Sequence, residues 1–389
     1  MTTSETARTT TDSTATESGT AEGAADDGLP RPAASVDEFA ERVFGAVLAT
    51  QEVQAMYLGD RLGWYRALAA GGAMTSTELA EATGSHERYA REWLEHQAVA
   101  GYVTVDRADA AATERRYTLP TAHAEALTDD DSPGFVAPLA KATAAFGNAI
   151  DRIAEAYRTG GGVSWDEFGD DARTAQASAN RRLFLHRLGQ ELLPAAPEVH
   201  ERLRRAAHIA DVGCGLGWST IGLARAYPQA RVDGYDVDGP SVTAANANAR
   251  HAGVADRAHV ELTDGSVIDD ERDGTYDAVF AFECIHDMGD PVAVLARMRK
   301  LVADDGVVVI MDENVADHFT APAGPMERLC YGFSLMCCLP DGMSHAHSAG
   351  TGTVMRPETL ARYARRAGFG GAEVLPIEDE FFRFYRLTL

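Results

Sequence analysis

In Asp211-Val-Gly-Cys-Gly-Leu-Gly-Trp218 a glycine stands at every second position, just where the short apolar run His208–Val212 ends. A glycine-rich turn after a strand lets backbone approach a nucleotide-like ligand closely. The spacing is G-x-G-x-G (Gly213, Gly215, Gly217), and Trp218 stands where the dinucleotide fingerprint needs its third glycine. No basic residue neighbours the turn, whereas Asp211 does. Those residue types favour a ligand that carries positive charge and no phosphate. The next strand-like run ends at Asp236, 25 residues on, where a carboxylate can accept both hydroxyls of a ribose. The run after that ends in Glu-Leu-Thr-Asp264-Gly265-Ser266, and Asp264 there could accept from an adenine amino group. Three acidic strand tips together describe a nucleoside pocket.

These tips need a frame. From His208 onward, short apolar runs alternate with helical segments, which predicts a parallel sheet covered on both faces. Ligands of such sheets bind outside the carboxyl ends of the strands. The last two runs, Ala372–Ile377 and Phe381–Leu389, have no helix between them, so the sheet should close with an antiparallel hairpin. Residues 36–130 form another unit, with apolar residues at helical spacing, a capping box from Thr75 to Glu78, a second helix from Ser85, and two short strands flanking a polar turn. Helix, turn, helix and hairpin make a winged helix. DNA binding is its obvious use, yet the unit carries sixteen acidic against eight basic residues, and its second helix sets Arg88 and Arg91 among Glu87, Glu92 and Glu95. Phosphate contacts need the opposite balance. A packing or dimerisation role fits better, and nucleic acid is not the expected partner.

The 389-residue chain has a net charge of −24, which repels phosphate backbones and anionic membranes. No apolar run approaches the roughly 18 residues that span a bilayer. Residues 1–35 read as a disordered, Thr-, Ser- and acid-rich tail without secretory character. Five cysteines without a C-x-x-C pair suggest reduced thiols in a cytoplasm. The group Cys330, Cys337, Cys338, His345 and His347 has no recognisable zinc spacing, so no metal is expected.

With these features assembled, the chain from about His208 to Leu389 resembles the class I S-adenosylmethionine-dependent methyltransferases. Together with the winged helix, residues 45–389 resemble two-domain small-molecule O-methyltransferases, and in particular a bacterial winged-helix group that shares segments such as Met-Thr-Ser-Thr-Glu-Leu-Ala (74–80), Leu339–Leu360 and Phe382–Leu387. The resemblance implies an α/β fold: a Rossmann-like seven-stranded methyltransferase sheet with an antiparallel C-terminal hairpin, plus a mainly helical winged-helix domain. It implies a winged-helix and dimerisation domain over 36–130, a helical connector over 131–200, and a cofactor domain over 201–389 with a lid or substrate insertion at 314–353. S-adenosylmethionine would lie on Asp211, Gly213, Gly215, Gly217, Asp236, Asp264, Gly265 and Ser266.

The resemblance also implies a catalytic pair, His286-Asp287, after the fourth strand. Methyl transfer to a hydroxyl requires that the oxygen lose a proton, and a histidine suits that near neutral pH. The alternative is that His286 caps a helix or orients the cofactor. Glu283 could orient His286 or accept from the methionyl ammonium. Met288 departs from the tryptophan of the plant-type enzymes. An apolar acceptor pocket is expected from Trp165, Phe168, Trp218 and the insertion, with His345 and His347 either facing the acceptor or lying on an exposed loop. Expected partners are a small apolar or aromatic acceptor, methylated at oxygen in preference to nitrogen, and a second copy joined through the N-terminal domain. The alternative function is a transcriptional regulator that senses S-adenosylmethionine.

Overall fold

The computed structural model describes residues 29–205 and 207–389. Most of the expected tail therefore lies outside the described residues. The chain enters on the helix α1 (Val36–Arg61), capped by Ser35, followed by α2 (Trp64–Gly71), α3 (Ser76–Thr83) and α4 (Glu87–Val99). The hairpin β1 (Thr104–Asp106) and β2 (Arg116–Thr118) follows, then α5 (Thr121–Thr128). The expected capping box is present: Thr75 accepts from the Glu78 N–H, Glu78 accepts from the Thr75 N–H, and Gly84 ends the helix. Trp64, Tyr65, Leu79, Trp93 and Tyr117 fill this unit's core. Much of α1 stays uncovered: Phe39, Val43, Phe44, Val47 and Leu48 are all exposed.

Next come α6 (Ala137–Gly147), α7 (Ile150–Thr159) and α8 (Trp165–Arg182), which continues into a π-helix over Leu183–Leu192; a 3-10 turn and the short α9 (Pro197–Leu203) complete the connector. Gly160–Gly162 separates α7 from α8. Ser164 and Glu167 form a capping box that starts α8, and only Gly169, with φ +78°, leaves helical geometry.

The sheet has seven strands in the order β5-β4-β3-β6-β7-β9-β8. These are β3 (His208–Val212), β4 (Arg231–Asp236), β5 (Ala258–Leu262), β6 (Tyr276–Phe282), β7 (Val302–Glu313), β8 (Gly371–Val374) and β9 (Phe382–Thr388). The first five pair in parallel, and β9 runs antiparallel to both β7 and β8. Alternate residues feed two cores: Ile209, Phe280 and Met311 on one face, Ala210, Val279 and Ile310 on the other. The covering helices are α10 (Trp218–Ala226), α11 (Gly239–His251) and α12 (Pro291–Leu301), with α13 (Pro325–Phe333), a π-helical turn over Ser334–Cys338 and α14 (Leu339–Met343) in the insertion, and α15 (Pro357–Arg366) before the terminal hairpin. Strand order reverses between β3 and β6, so the glycine turn after β3 and the His286 turn after β6 are neighbours at the switch point.

Candidate active site

At this switch point a cavity of about 270 Å³ opens between the strand ends, α6, α8 and the insertion. One side is the glycine turn. Gly213 has φ +73°, and a Cβ there would lie 2.7 Å from Cys284 Sγ, so only glycine lets the two turns approach. Gly215 also has positive φ, and its N–H donates to Asp236 Oδ2 at 2.7 Å, while Asp238 N–H donates to Oδ1 at 2.9 Å. Gly213, Gly215, Trp218 and Asp236 line the cavity.

Asp211 does not. It is fully buried beneath the turn, where the Ser219 and Thr220 hydroxyls donate to Oδ2 at 2.7 and 2.6 Å. Burial pushes its carboxyl up to about 6 despite those hydrogen bonds. Its position ties the turn to the first turn of α10 rather than meeting a ligand. Gly217 likewise packs inward, its missing Cβ filled by Ala245. Asp264 is exposed, accepts from the Ser266 N–H and hydroxyl, and with Gly265 and Ser266 stands outside the cavity wall.

The second side centres on His286, 1% exposed. Its Nδ1 lies 2.9 Å from Asp312 Oδ1 and 3.2 Å from Glu313 Oε2, and its Nε2 lies 3.2 Å from Asp287 Oδ1. The Asp312 contact is an aligned hydrogen bond; Asp287 Oδ1 and Glu313 Oε2 are close in charge but accept no hydrogen bond. Burial lowers the imidazole's affinity for its proton, and Asp287, Asp312 and Glu313 outweigh it, holding the group well above the ordinary histidine range. Burial raises Glu313 in turn. Asp312 and Glu313 end β7, the strand beside β6, which is why they meet a residue 26 positions earlier. They are acids at a strand's carboxyl end, the signal that marked Asp236, and sequence reasoning missed them.

Glu283, with φ +52°, accepts from the Asn180 side chain of α8, and burial raises its carboxyl. Two trios, His286 with Asp287 and Cys338 and His286 with Asp312 and Glu313, bring metal-ligand atoms within 4.8 Å of one another. Neither is the cysteine–histidine group weighed from the sequence.

The third side is aromatic: Phe146, Trp165, Phe184, Trp218, Phe282 and Phe333. Phe168 stands behind this wall, edge-on to Phe146 with ring centroids 5.5 Å apart. Of the two insertion histidines expected near the acceptor, His345 lines the cavity, whereas His347 is exposed at φ +64°. Cys214, Cys284, Cys337 and Cys338 also line it as free thiols.

In the winged helix, Arg88 and Arg91 pair with Glu92 and Glu87 of their own helix at 2.5 and 3.3 Å, which leaves no cationic face on α4.

Two domain families match the chain: a methyltransferase domain over residues 210–308 and an Rv2258c-like winged HTH domain over residues 53–129. The probable methyltransferase ltbC of Aspergillus luteorubrus is 27% identical over 183 residues, 43% of this chain and 58% of that one. The chain spans less than two thirds of the length of such curated relatives. Among solved structures, the mitomycin 7-O-methyltransferase MmcR aligns over 90% of this chain and 97% of its own, with 22% identity and a TM-score of 0.68. The O-methyltransferase NcsB1 from neocarzinostatin biosynthesis, in complex with S-adenosyl-L-homocysteine and 1,4-dihydroxy-2-naphthoic acid, aligns over 87% and 95% with 21% identity and a TM-score of 0.59. The chain thus carries a methyltransferase domain on a seven-stranded switch-point sheet, preceded by an Rv2258c-like winged helix, and shares its fold with solved O-methyltransferases.

Proposed function

We propose that this chain transfers a methyl group from S-adenosylmethionine to an oxygen, in preference to a nitrogen, of a small apolar or aromatic molecule. The observation that carries this reading is one cavity with the glycine turn and Asp236 on one side, aromatic rings on another, and a buried histidine between them. The wall suits the cofactor: Gly215 has open space where a side chain would stand, and Asp236 keeps lone pairs beyond its two backbone hydrogen bonds. Gly213, Gly215 and Asp236 would hold its amino-acid and ribose parts. Thr263 N–H donates to the Asp236 carbonyl at 2.9 Å, and Asp264, Gly265 and Ser266, which follow it in the chain, would take the adenine end. When bound, the cofactor supplies an electrophilic methyl group on a positively charged sulfur.

The chain's own residues hold the acceptor, exclude water and take its proton. Asp312 fixes the imidazole through Nδ1, so Nε2, on the side of Asp287 and Cys338, is the atom that receives the proton. Glu283, anchored by Asn180, closes the end of β6. The insertion 314–353 serves as a substrate wall, and five free thiols accord with a cytoplasmic setting. The exposed row Phe39, Val43 and Val47, with Phe44 and Leu48 beside it, supports a homodimer through α1.

The test is calorimetry followed by turnover. S-adenosylmethionine should bind and NAD should not, and methyl-labelled cofactor should label one member of a panel of phenols and hydroxylated aromatics. Failure to bind S-adenosylmethionine would sink the reading.

A further inference from the structure

The cavity is short of cations. Asp236, Glu283, Asp287, Glu313 and Asp341 all line it, and among the described residues Arg173 is the single arginine or lysine in its wall. Arg173 is fully engaged: it reaches Asp238 at 2.8 and 2.9 Å, Asp166 at 2.5 Å and Asp170 at 3.0 Å. Of the five acids, Asp236 is held by backbone N–H groups, Glu283 by Asn180, and Glu313 stands against His286.

Asp341 and Asp287 remain. Asp341, at the start of α14, accepts from the Trp165 N–H at 2.7 Å and forms no ion pair among the described residues. Among the described residues Asp287 forms one ion pair, with His286, and its Oδ1 is buried without a hydrogen bond. The segments that carry them touch: a Cβ on Gly342, next to Asp341, would lie 3.2 Å from the Asp287 carbonyl. Burial and then the neighbouring Asp287 push the Asp341 carboxyl up to about 7. Glu313, 9% exposed, adds a second cavity-wall oxygen that accepts no hydrogen bond. Around this acidic end stand Phe146, Trp165 and Phe333, whose ring faces attract cations. One imidazole, His286, is shared by Asp287, Asp312 and Glu313, so these acids leave negative charge in an aromatic enclosure, which costs free energy until a further cation joins it.

We propose that the methyl acceptor is a small aromatic amine whose protonated nitrogen sits between Asp341 and Asp287, against Trp165, while its hydroxyl meets His286. This rests on the methyl-transfer reading and names its substrate class. Asp341 belongs to the insertion, not to the strand tips that would carry the cofactor.

Three probes share one phenol ring and differ at the far end: tyramine, 4-ethylphenol and 3-(4-hydroxyphenyl)propionate. Calorimetry is run on the full chain after saturation with S-adenosylhomocysteine. Tyramine should bind about ten-fold more tightly than 4-ethylphenol, and the propionate most weakly. Asp341→Asn keeps an acceptor for the Trp165 N–H, so the wall is retained; it should cost tyramine about ten-fold and leave 4-ethylphenol within a factor of about two. Asp287→Asn should act in the same direction, which covers the case of a poorly folded Asp341 variant. Equal or tighter binding of 4-ethylphenol or the propionate overturns the proposal, as does the absence of tyramine binding to protein that holds S-adenosylhomocysteine. A chain that does not bind S-adenosylhomocysteine overturns the methyl-transfer reading itself.

Discussion

At the scale of residues, the site turns on how one imidazole is held. Asp287, Asp312 and Glu313 keep His286 protonated above the ordinary histidine range, and a proton acceptor must first be empty. Turnover should therefore rise with pH through that raised value and fall away on the acid side. Asp312→Asn removes one of the charges that raise it, so the rising limb of the pH–rate profile should move to lower pH; an unmoved limb would assign it to another group. His286→Ala should lose roughly 10²–10⁴-fold in kcat, the worth of a positioned base, with calorimetric affinity for S-adenosylhomocysteine unchanged. Retained turnover would mean that the acceptor needs no base. Asp236→Ala should weaken that affinity strongly, because the same carboxylate also orders the Gly215 and Asp238 N–H groups. Of these residues, Asp236 could be read from the sequence because it ends a strand, and Glu283 because it follows one; His286 and Asp287, in the turn after β6, came from the resemblance to the O-methyltransferases. Asp211 ends a strand too, but its carboxylate turns beneath the glycine turn to Ser219 and Thr220, a direction that strand position does not specify. Asp341, Asn180 and Phe146 reach the cavity from distant segments, and no local spacing announces such contacts.

At the scale of elements, local signals served well where they were self-contained. The capping box at Thr75 and the terminal hairpin needed no tertiary knowledge. Thr75→Ala should cost about 1 kcal/mol in chemical denaturation, and a change near zero would mean the cap is redundant. The start of α8 was obscured by Gly169 and by a dense run of acids, although Ser164 and Glu167 carry the same signature. Its π-helical continuation was beyond reach of periodicity, for it depends on packing: Gly222 of α10 presses against the Phe184 carbonyl with no room for a Cβ. Gly222→Ala should therefore destabilise by about 1–3 kcal/mol, read as a lowered urea midpoint; an unchanged midpoint would show that α10 and the π-helix can slide apart.

At the scale of the whole molecule, the arginines of α4 are closed on their own glutamates, which supports the proposal that the winged helix is a support. Its uncovered α1 should make the chain dimeric in light scattering at micromolar concentration, and deletion of residues 1–60 should dissociate or unfold it. A monomer of the full chain would remove the dimer from the proposal. The thiols offer another handle. Four of the five cysteines line one cavity, and the fifth, Cys330, is buried. A small alkylating or mercurial reagent must then come in by the ligand's own door, so its rate of uptake counts vacant active sites, and a silent thiol titration identifies a molecule that occupies the pocket even when the reaction it undergoes there is unknown.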